Sequence, residues 1–473
     1  MKTRIFIISF FFLIQSIIYS QNIKPQILLG SWMGRITTDQ FSLRFLLRFE
    51  MNDDTLKGAF DSPDRGFKDL PLDRIWSVND SVFVDASKSL NAGIIFKGKM
   101  LPGDSVIDGI WARALGLRLS RTDFVYTLKT NLNPKIEGYK VIKLIKTSPI
   151  KDQQSTGICW TFATTSFIET EAMRLRKEPV VLSPLYYVAP TYIDKGEKYI
   201  RMNGKSSFGP GGLTFSVLKY YEKYGAVPQL VWSGKKDSTA KYDHGKMDKA
   251  LLDKVKYYVN SGRGKMTTEE YRNEIDKILT QTMGIAPETF MYHQKQYTPV
   301  TFAREMVGIN SGNYVEITSF SHHPFYSKFI LEIESNWNNN YYLNLPINDF
   351  SSVIDYALTH NYSVCWDGDA YRDRGFNDGF AVLNDSISSI TQLKRQIDFD
   401  NYTTIDQHNM HIVGIAENEK GKRFYIVKNS SDVKNCGGYI YMSKEYLLLR
   451  TISVMVHKDA VPQEIKNKLG FVL

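Results

Sequence analysis

Two textures of hydrophobic and polar positions divide the chain. In the first, apolar residues recur at every second position: Phe41, Leu43, Phe45, Leu47 and Phe49 alternate with Ser42, Arg44, Leu46 and Arg48. That period of two predicts a strand with one buried face. Strand-like runs follow at 81–85, 93–99, 106–111 and 115–121. Turn signals separate them: Asn52-Asp53-Asp54, Ser62-Pro63-Asp64, Asn79-Asp80 and Pro102-Gly103-Asp104. Short strands at even spacing predict an all-β antiparallel barrel or sandwich over residues 21–123. Residues 124–146 read as a connector with strand character at 139–145.

Beyond it the pattern becomes mixed α and β. Trp160, Phe162, Ala163, Phe167 and Met173 fall at helical spacing and predict a helix from Cys159 to Arg176. Ser183-Pro184 reads as an N-cap with proline at the first helical position. A second amphipathic helix is expected from Thr214 to Tyr224, closed by Gly225, and a polar one over 264–282. Strand patterning returns over 408–460, most clearly at 424–428 and 438–442. The expectation is a multidomain chain, all-β first and α+β afterwards.

The first twenty residues stand outside this scheme. Lys2 and Arg4 precede an apolar run from Ile5 to Ile18, and Ser20 offers a small residue for cleavage. This is the pattern of a secretory signal peptide, and it predicts an exported protein, periplasmic or extracellular. The run is short for a bilayer, and no later stretch approaches a membrane span. The net charge of +9 falls to +7 without Lys2 and Arg4, and no block of Lys/Arg marks a nucleic-acid surface. Only three cysteines occur, Cys159, Cys365 and Cys436, which is no disulfide framework. Cys365 reads as a buried strand thiol and Cys436 as a loop thiol, with a bond between them left open. His408 and His411 lack an HExxH glutamate and no CxxC exists, so neither a metal nor another cofactor is expected.

The stretch Ile150-Lys-Asp-Gln-Gln-Ser-Thr-Gly-Ile-Cys-Trp-Thr-Phe162 carries the chemistry. A thiol at a helix start has its anion favoured by unpaired N–H groups. Gln153, six residues before Cys159, can join a backbone N–H in holding an oxyanion. A thiolate nucleophile needs a base, and the base an orienting partner. His408 opens one strand and Asn429 ends the next, so the two can face each other across a hairpin.

This set resembles the papain-like cysteine peptidases: Gln153, Cys159-Trp160, then His408, then Asn429. Within them it is similar to the bleomycin hydrolase and aminopeptidase C branch. Leu182-Ser-Pro, Gly211-Gly212 ahead of a helix, Tyr224-Gly-Ala-Val-Pro228, Tyr297-Thr-Pro, Ser321-His-His-Pro-Phe325 and the run from His408 to Lys434 carry that likeness. The resemblance implies a two-lobed peptidase domain over 147–473, helical around the cysteine and β-rich around His and Asn, with a large insertion near 235–345. It implies hydrolysis of peptides or proteins at Cys159, His408, Asn429 and Gln153, with Gly211, Gly212 and Trp160 touching substrate. It also implies removal of N-terminal residues ahead of endopeptidase action, and it admits a homo-oligomer. The family's six-residue interval from histidine to glycine selects His408 over His411, because Gly414 stands six after the former. Gly-Ser-Trp at 30–32, Asp-Ser-Pro-Asp at 61–64 and Gly-Ile-Trp at 109–111 resemble a β-domain that precedes exported bacterial hydrolases, with Trp32 and Trp111 expected in its core.

Three features depart from the family pattern. Asn429 is followed by Ser430-Ser431-Asp432 in place of Ser-Trp-Gly, so no tryptophan shields the Asn–His contact. Thr156 stands where many papains carry a disulfide cysteine. After Val461 a short helix at 464–469 leaves Gly470 to Leu473 to reach the cleft, a span of at most about 14 Å. The alternative is a catalytically weak or inactive peptidase homologue that serves as a secreted binding protein.

Overall fold

The alternation of the N-terminal third folds into one antiparallel sheet. Its strands are β1 (Gly30–Thr37), β2 (Ser42–Asn52), β3 (Thr55–Ser62), β4 (Phe67–Pro71), β5 (Arg74–Val78), β6 (Ser81–Asp85), β7 (Ile95–Met100), β8 (Val106–Trp111) and β9 (Leu115–Arg121). Their order in space is β4-β3-β2-β1-β9-β8-β7-β6-β5. Leu72, just past β4, donates its N–H to Gly58 O of β3 at 2.9 Å, and the sheet curls into a half-barrel. Its inner face buries Trp32, Phe45, Phe60, Phe96 and Trp111. The Trp111 ring lies 5.2 Å from both Phe45 and Phe60, so both tryptophans are core residues. Asp61 of the Asp-Ser-Pro-Asp run is buried and held by both guanidinium arms of Arg48 at 3.0 Å.

This computed structural model describes residues 23–470 apart from 38–41, 53–54, 64–66, 87–94, 113, 124–136, 177–178, 237–240, 261–266, 293–294, 371–372, 374–378, 384–388 and 431–436. The signal-peptide expectation for 1–20 lies outside these residues, as does Cys436. The chain divides near Tyr126 into two compact units. Among the described residues no helix is long and apolar enough to cross a membrane.

The second unit is α+β. Its helices include α1 (Cys159–Arg176), α2 (Val188–Arg201), α3 (Thr214–Tyr224), α4 (Gly245–Asn260) and α5 (Thr268–Met283). Gly225 ends α3 at φ +81°, as its sequence position predicts, and a Thr267/Glu270 capping box opens α5. Ser183 differs from expectation. Its side chain caps nothing, and the proline after it opens a 3₁₀ turn, Pro184–Tyr187, that runs on into α2.

Among the described residues the main sheet of this unit has ten strands: β10 (Tyr139–Leu144), β13 (Tyr314–Thr318), β14 (Ser327–Ile330), β15 (Tyr341–Asn344), β16 (Val364–Gly368), β17 (Phe380–Ala381), β18 (His408–Asn418), β19 (Arg423–Lys428), β20 (Tyr439–Ser443) and β21 (Thr451–His457). A separate hairpin joins β11 (Phe290–Tyr292) to β12 (Lys295–Tyr297). β18 is central, flanked by β16 and β19. The stretch expected as a connector supplies β10, which pairs with β18. Period-two alternation divides the sheet into two cores. Cys365 and Met455 face the helical core built around α1. Val364, Trp366, Val454 and Val456 face the opposite core, which also takes Ile465 and Leu469 of α6 (Gln463–Leu469). The expected C-terminal helix therefore forms, but it packs on the sheet face away from α1, because its two apolar residues are drawn into that core. Residues 471–473 lie outside the described residues.

Strand β18 carries one irregularity that positions the site. Ile412 pairs with Val427, but Gly414 pairs with Ile426, leaving Val413 as the extra residue of a bulge. The Val413 carbonyl accepts from Ile145 N at 2.8 Å, just beyond β10. There β10 crosses so closely that a Cβ on Gly414 would lie 2.4 Å from the Lys143 carbonyl oxygen. Gly414→Ala must push β10 away, and overpacking of this kind costs about 1–3 kcal/mol. Thermal unfolding should show a lowered midpoint, with activity falling further than the stability loss accounts for.

Candidate active site

Each expected residue is placed by a distinct element. Cys159 is the first residue of α1 and is half-buried. The Trp160 ring is fully buried in the helical core, and its indole N–H donates to Pro210 O at 2.9 Å. It was expected to touch substrate; instead it anchors the Gly209–Gly212 loop beside the helix start. A Cβ on Gly212 would sit 2.6 Å from that ring, so Gly212 is a packing glycine too. Gly211 remains exposed, and its carbonyl accepts from the Lys195 ammonium.

His408 and Asn429 meet, with Nε2 and Oδ1 2.8 Å apart. Asn429 Oδ1 also accepts from Ser430 N at 2.9 Å, which marks it as the carbonyl oxygen. Nε2 is then the protonated ring nitrogen, and Nδ1 keeps a lone pair. Burial lowers the His408 imidazole below its usual value, against a smaller upward pull from Asn429. The ring is neutral and able to accept a proton.

The bulge at Val413 decides which histidine meets Asn429. His411 pairs with Lys428, so continuing the ladder by one step sets Asn429 opposite Met410, on the side of His408. Without the bulge Asn429 would stand opposite His411, because a one-residue slip exchanges the faces of a strand. His411 points instead into the helical core. Its Nδ1 lies 3.0 Å from Ser166 Oγ, and Phe167 packs on its edge. The interval to Gly414, which distinguished the two histidines in the sequence, thus has a structural cause.

The adjacent glutamines also separate. Gln153 donates from Nε2 to Thr156 O at 2.7 Å, and its Oε1 accepts from Ser430 Oγ. Its backbone N–H reaches Ser430 O at 2.7 Å. One amide hydrogen of Gln153 therefore remains for a ligand. Gln154, at φ +53°, turns its side chain to accept from Tyr242 N.

Two neighbours were not singled out in the sequence. Ser430 ties the turn before Cys159 to the strand bearing Asn429, and the Asn-Ser dipeptide was its only signal. Asn409 places Oδ1 3.9 Å from Cys159 Sγ; its one clue was to follow His408. The thiol itself differs from expectation. Burial first, joined by the fields of the nearby Asp406 and Asp367, pushes it up to about 12, against hydrogen bonds from the backbone of Asn409 and Trp160. The resting thiol is protonated.

Cys365 is a buried thiol against Thr164, as its strand position predicts. His322, His323 and Glu332 bring ligand atoms within 4.8 Å of one another on the surface. Gln396 Oε1 accepts from Ser321 N, so its amide N–H is the group 3.0 Å from His322 Nδ1. That contact puts the ring proton on Nε2, toward Glu332, where a cation would need a lone pair.

Comparison with known proteins adds the following. The family model described as Peptidase C1-like family matches residues 205–470, which include His408 and Asn429 but not Cys159. Aminopeptidase E of Lactobacillus helveticus is 22% identical over 367 residues, 68% of this chain and 84% of that protein. Aminopeptidase W of Lactobacillus delbrueckii subsp. lactis is 22% identical over 374 residues, 69% of this chain and 84% of that protein. Among solved structures, a crystal structure titled PepW from Lactobacillus rhamnosis HN001 superposes with a TM-score of 0.57 at 19% identity, covering 69% of this chain and 84% of that one.

The buried His411 yields a test. Burial and the Lys428 ammonium hold its pKa well below the ordinary value, so below about pH 6.5 the unfolded chain binds a proton that the folded one refuses. Stability is present above that pH and is lost as pH falls. In His411→Leu the acid side of the stability profile, followed by denaturant unfolding, should be shallower.

Proposed function

Because the chain belongs to the Peptidase C1-like family, we propose that it is an exported thiol peptidase removing residues from the free N-termini of peptides. The observation that carries this reading is the 2.8 Å contact between His408 and Asn429, with the next residue, Asn409, 3.9 Å from the thiol of Cys159 at a helix start. The names of the similar Lactobacillus proteins support aminopeptidase action, and the pattern of residues 1–20 supports export.

In the proposed reaction His408 Nδ1 takes the Cys159 proton as Sγ attacks the scissile carbonyl. Thiol and imidazole are both neutral beforehand, so the transfer accompanies attack. Asn429 holds the imidazole through Nε2 and stabilises the imidazolium without adding a charge. The free amide hydrogen of Gln153 and the backbone N–H of Cys159 hold the oxyanion. The imidazolium then protonates the leaving amine, and water releases the acyl group from sulfur.

Cys159→Ala and His408→Ala should each abolish hydrolysis of an aminoacyl fluorogenic amide while the far-UV spectrum stays unchanged. Hydrolysis surviving in Cys159→Ala rules the reading out. Gln153→Ala should lower kcat by about 10²–10³ with little change in KM. Gln154→Ala loses a backbone tether and should act on stability instead; an equal kcat loss there would assign the oxyanion to the wrong glutamine.

A further inference from the structure

A buried acidic pair stands beside the cysteine, and the reaction above does not use it. Asp367 of β16 is the register partner of Asn409 on β18. Cross-strand partners share a face, and Asn409 is the residue in contact with Cys159 Sγ. Asp367 is 1% exposed. Its Oδ2 accepts a long contact from Ser453 Oγ, at 3.5 Å. Asp367 Oδ1 and Asn409 Nδ2 are both buried without a hydrogen-bond partner among the described residues. Asp406 is half-buried, two residues before His408, and its carboxyl comes within hydrogen-bonding reach of Asp367.

Buried polar atoms without partners are costly. Here an acceptor and a donor stand unmatched on neighbouring strands, next to a carboxyl that opens toward solvent. An ammonium has three N–H donors and no acceptor. The first residue of a peptide carries such a group at its free end, and its N–H donors match the carboxyl oxygens of the pair. We propose that Asp406 and Asp367 receive the α-ammonium group of the substrate's N-terminal residue. This rests on the aminopeptidase reading and names the side chains that enforce it.

The surrounding charges are compatible with it. Lys195 of α2 faces Asp406, but its ammonium is held by the carbonyls of Gly209 and Gly211. Among the described residues no ion pair joins it to Asp406. Glu334 faces both groups, and Glu316 adds to the field at Asp367. Two carboxyls this close and this buried share one proton. Burial raises both, Asp367 well above the usual range. The pair therefore carries a single negative charge, and that charge is what a cation meets. An ammonium at that position also offsets the carboxylate field that adds to burial in raising the Cys159 thiol, so part of that opposition is lifted when a free N-terminus is bound.

The test compares kcat/KM for an alanyl fluorogenic amide with that for its N-acetyl form, in wild type, Asp406→Asn and Asp367→Asn. The wild type should prefer the free amine. Asp406→Asn should cut the preference about a hundredfold, as expected when one partner of a buried charge contact is removed. Asp367→Asn keeps a donor toward Asp406 and should cut it less than tenfold. Cys159 alkylation by iodoacetamide at neutral pH should be faster in Asp406→Asn, a change that general damage to the site would not give. Should that variant not fold, Asp406→Ser supplies a second neutral residue. A wild type that prefers the amine together with an Asp406 variant that keeps the full preference overturns this assignment and leaves aminopeptidase action standing. A wild type without preference overturns both.

Discussion

The contact between His408 and Asn429 depends on a single extra residue in a strand. The hairpin of β18 and β19 leaves its turn in one register and reaches its open end in another, and the change occurs at Val413. Because side chains alternate strictly along a strand, that step decides whether Asn429 shares a side with His408 or with His411. The bulge is held from the other edge, where Ile145 N binds the Val413 carbonyl and β10 crosses over Gly414. A segment that reads as a linker thus sets the geometry of the candidate base.

Behind this hairpin lies a buried polar network that secures the same strand end. The Lys428 ammonium, next to Asn429 in sequence, donates to Ser148 O at 2.8 Å and to Ser166 Oγ at 2.7 Å. Glu169 of α1 joins it through the Ser148 hydroxyl, accepts from Leu182 N at 2.6 Å and pairs with Lys151. Helix α1, which begins with Cys159, and strand β19, which ends before Asn429, are therefore fixed to each other by hydrogen bonds as well as by packing. Burial pulls the Lys428 ammonium down to about 7. A charged group held at that cost gains its value from geometry more than from stability. The network also leaves His411 neutral, with Ser166 as its partner and the Lys428 charge nearby.

The candidate site draws on opposite faces of one sheet end. The alternation that gives His408 to Asn429 gives the next residue, Asn409, to Cys159. Asp367 follows Asn409 because the two are paired across the ladder. The placement of His408, Asn409 and Asp367 is in this way a consequence of the same register.

Much of this was legible in the chain. Period-two alternation identified the N-terminal sheet and its buried Trp32 and Trp111, and helical spacing identified α1 and α3, because each signal is local and repeats within a few residues. The order Gln153, Cys159, His408, Asn429 and the interval to Gly414 named the candidate residues, since the chemistry demands those side-chain types. What only the tertiary structure decided concerns contacts between residues far apart in sequence. It placed Trp160 and Gly212 in packing, joined residues 139–144 to the sheet, and turned Ser183 away from capping. It sent the C-terminal helix to the far core and set Asp367 and Asp406 beside the thiol, opposing the anion that a helix start favours. Residues 367, 406 and 409 carry no shared local pattern; strand pairing and burial bring them together, and no periodicity within one segment encodes that.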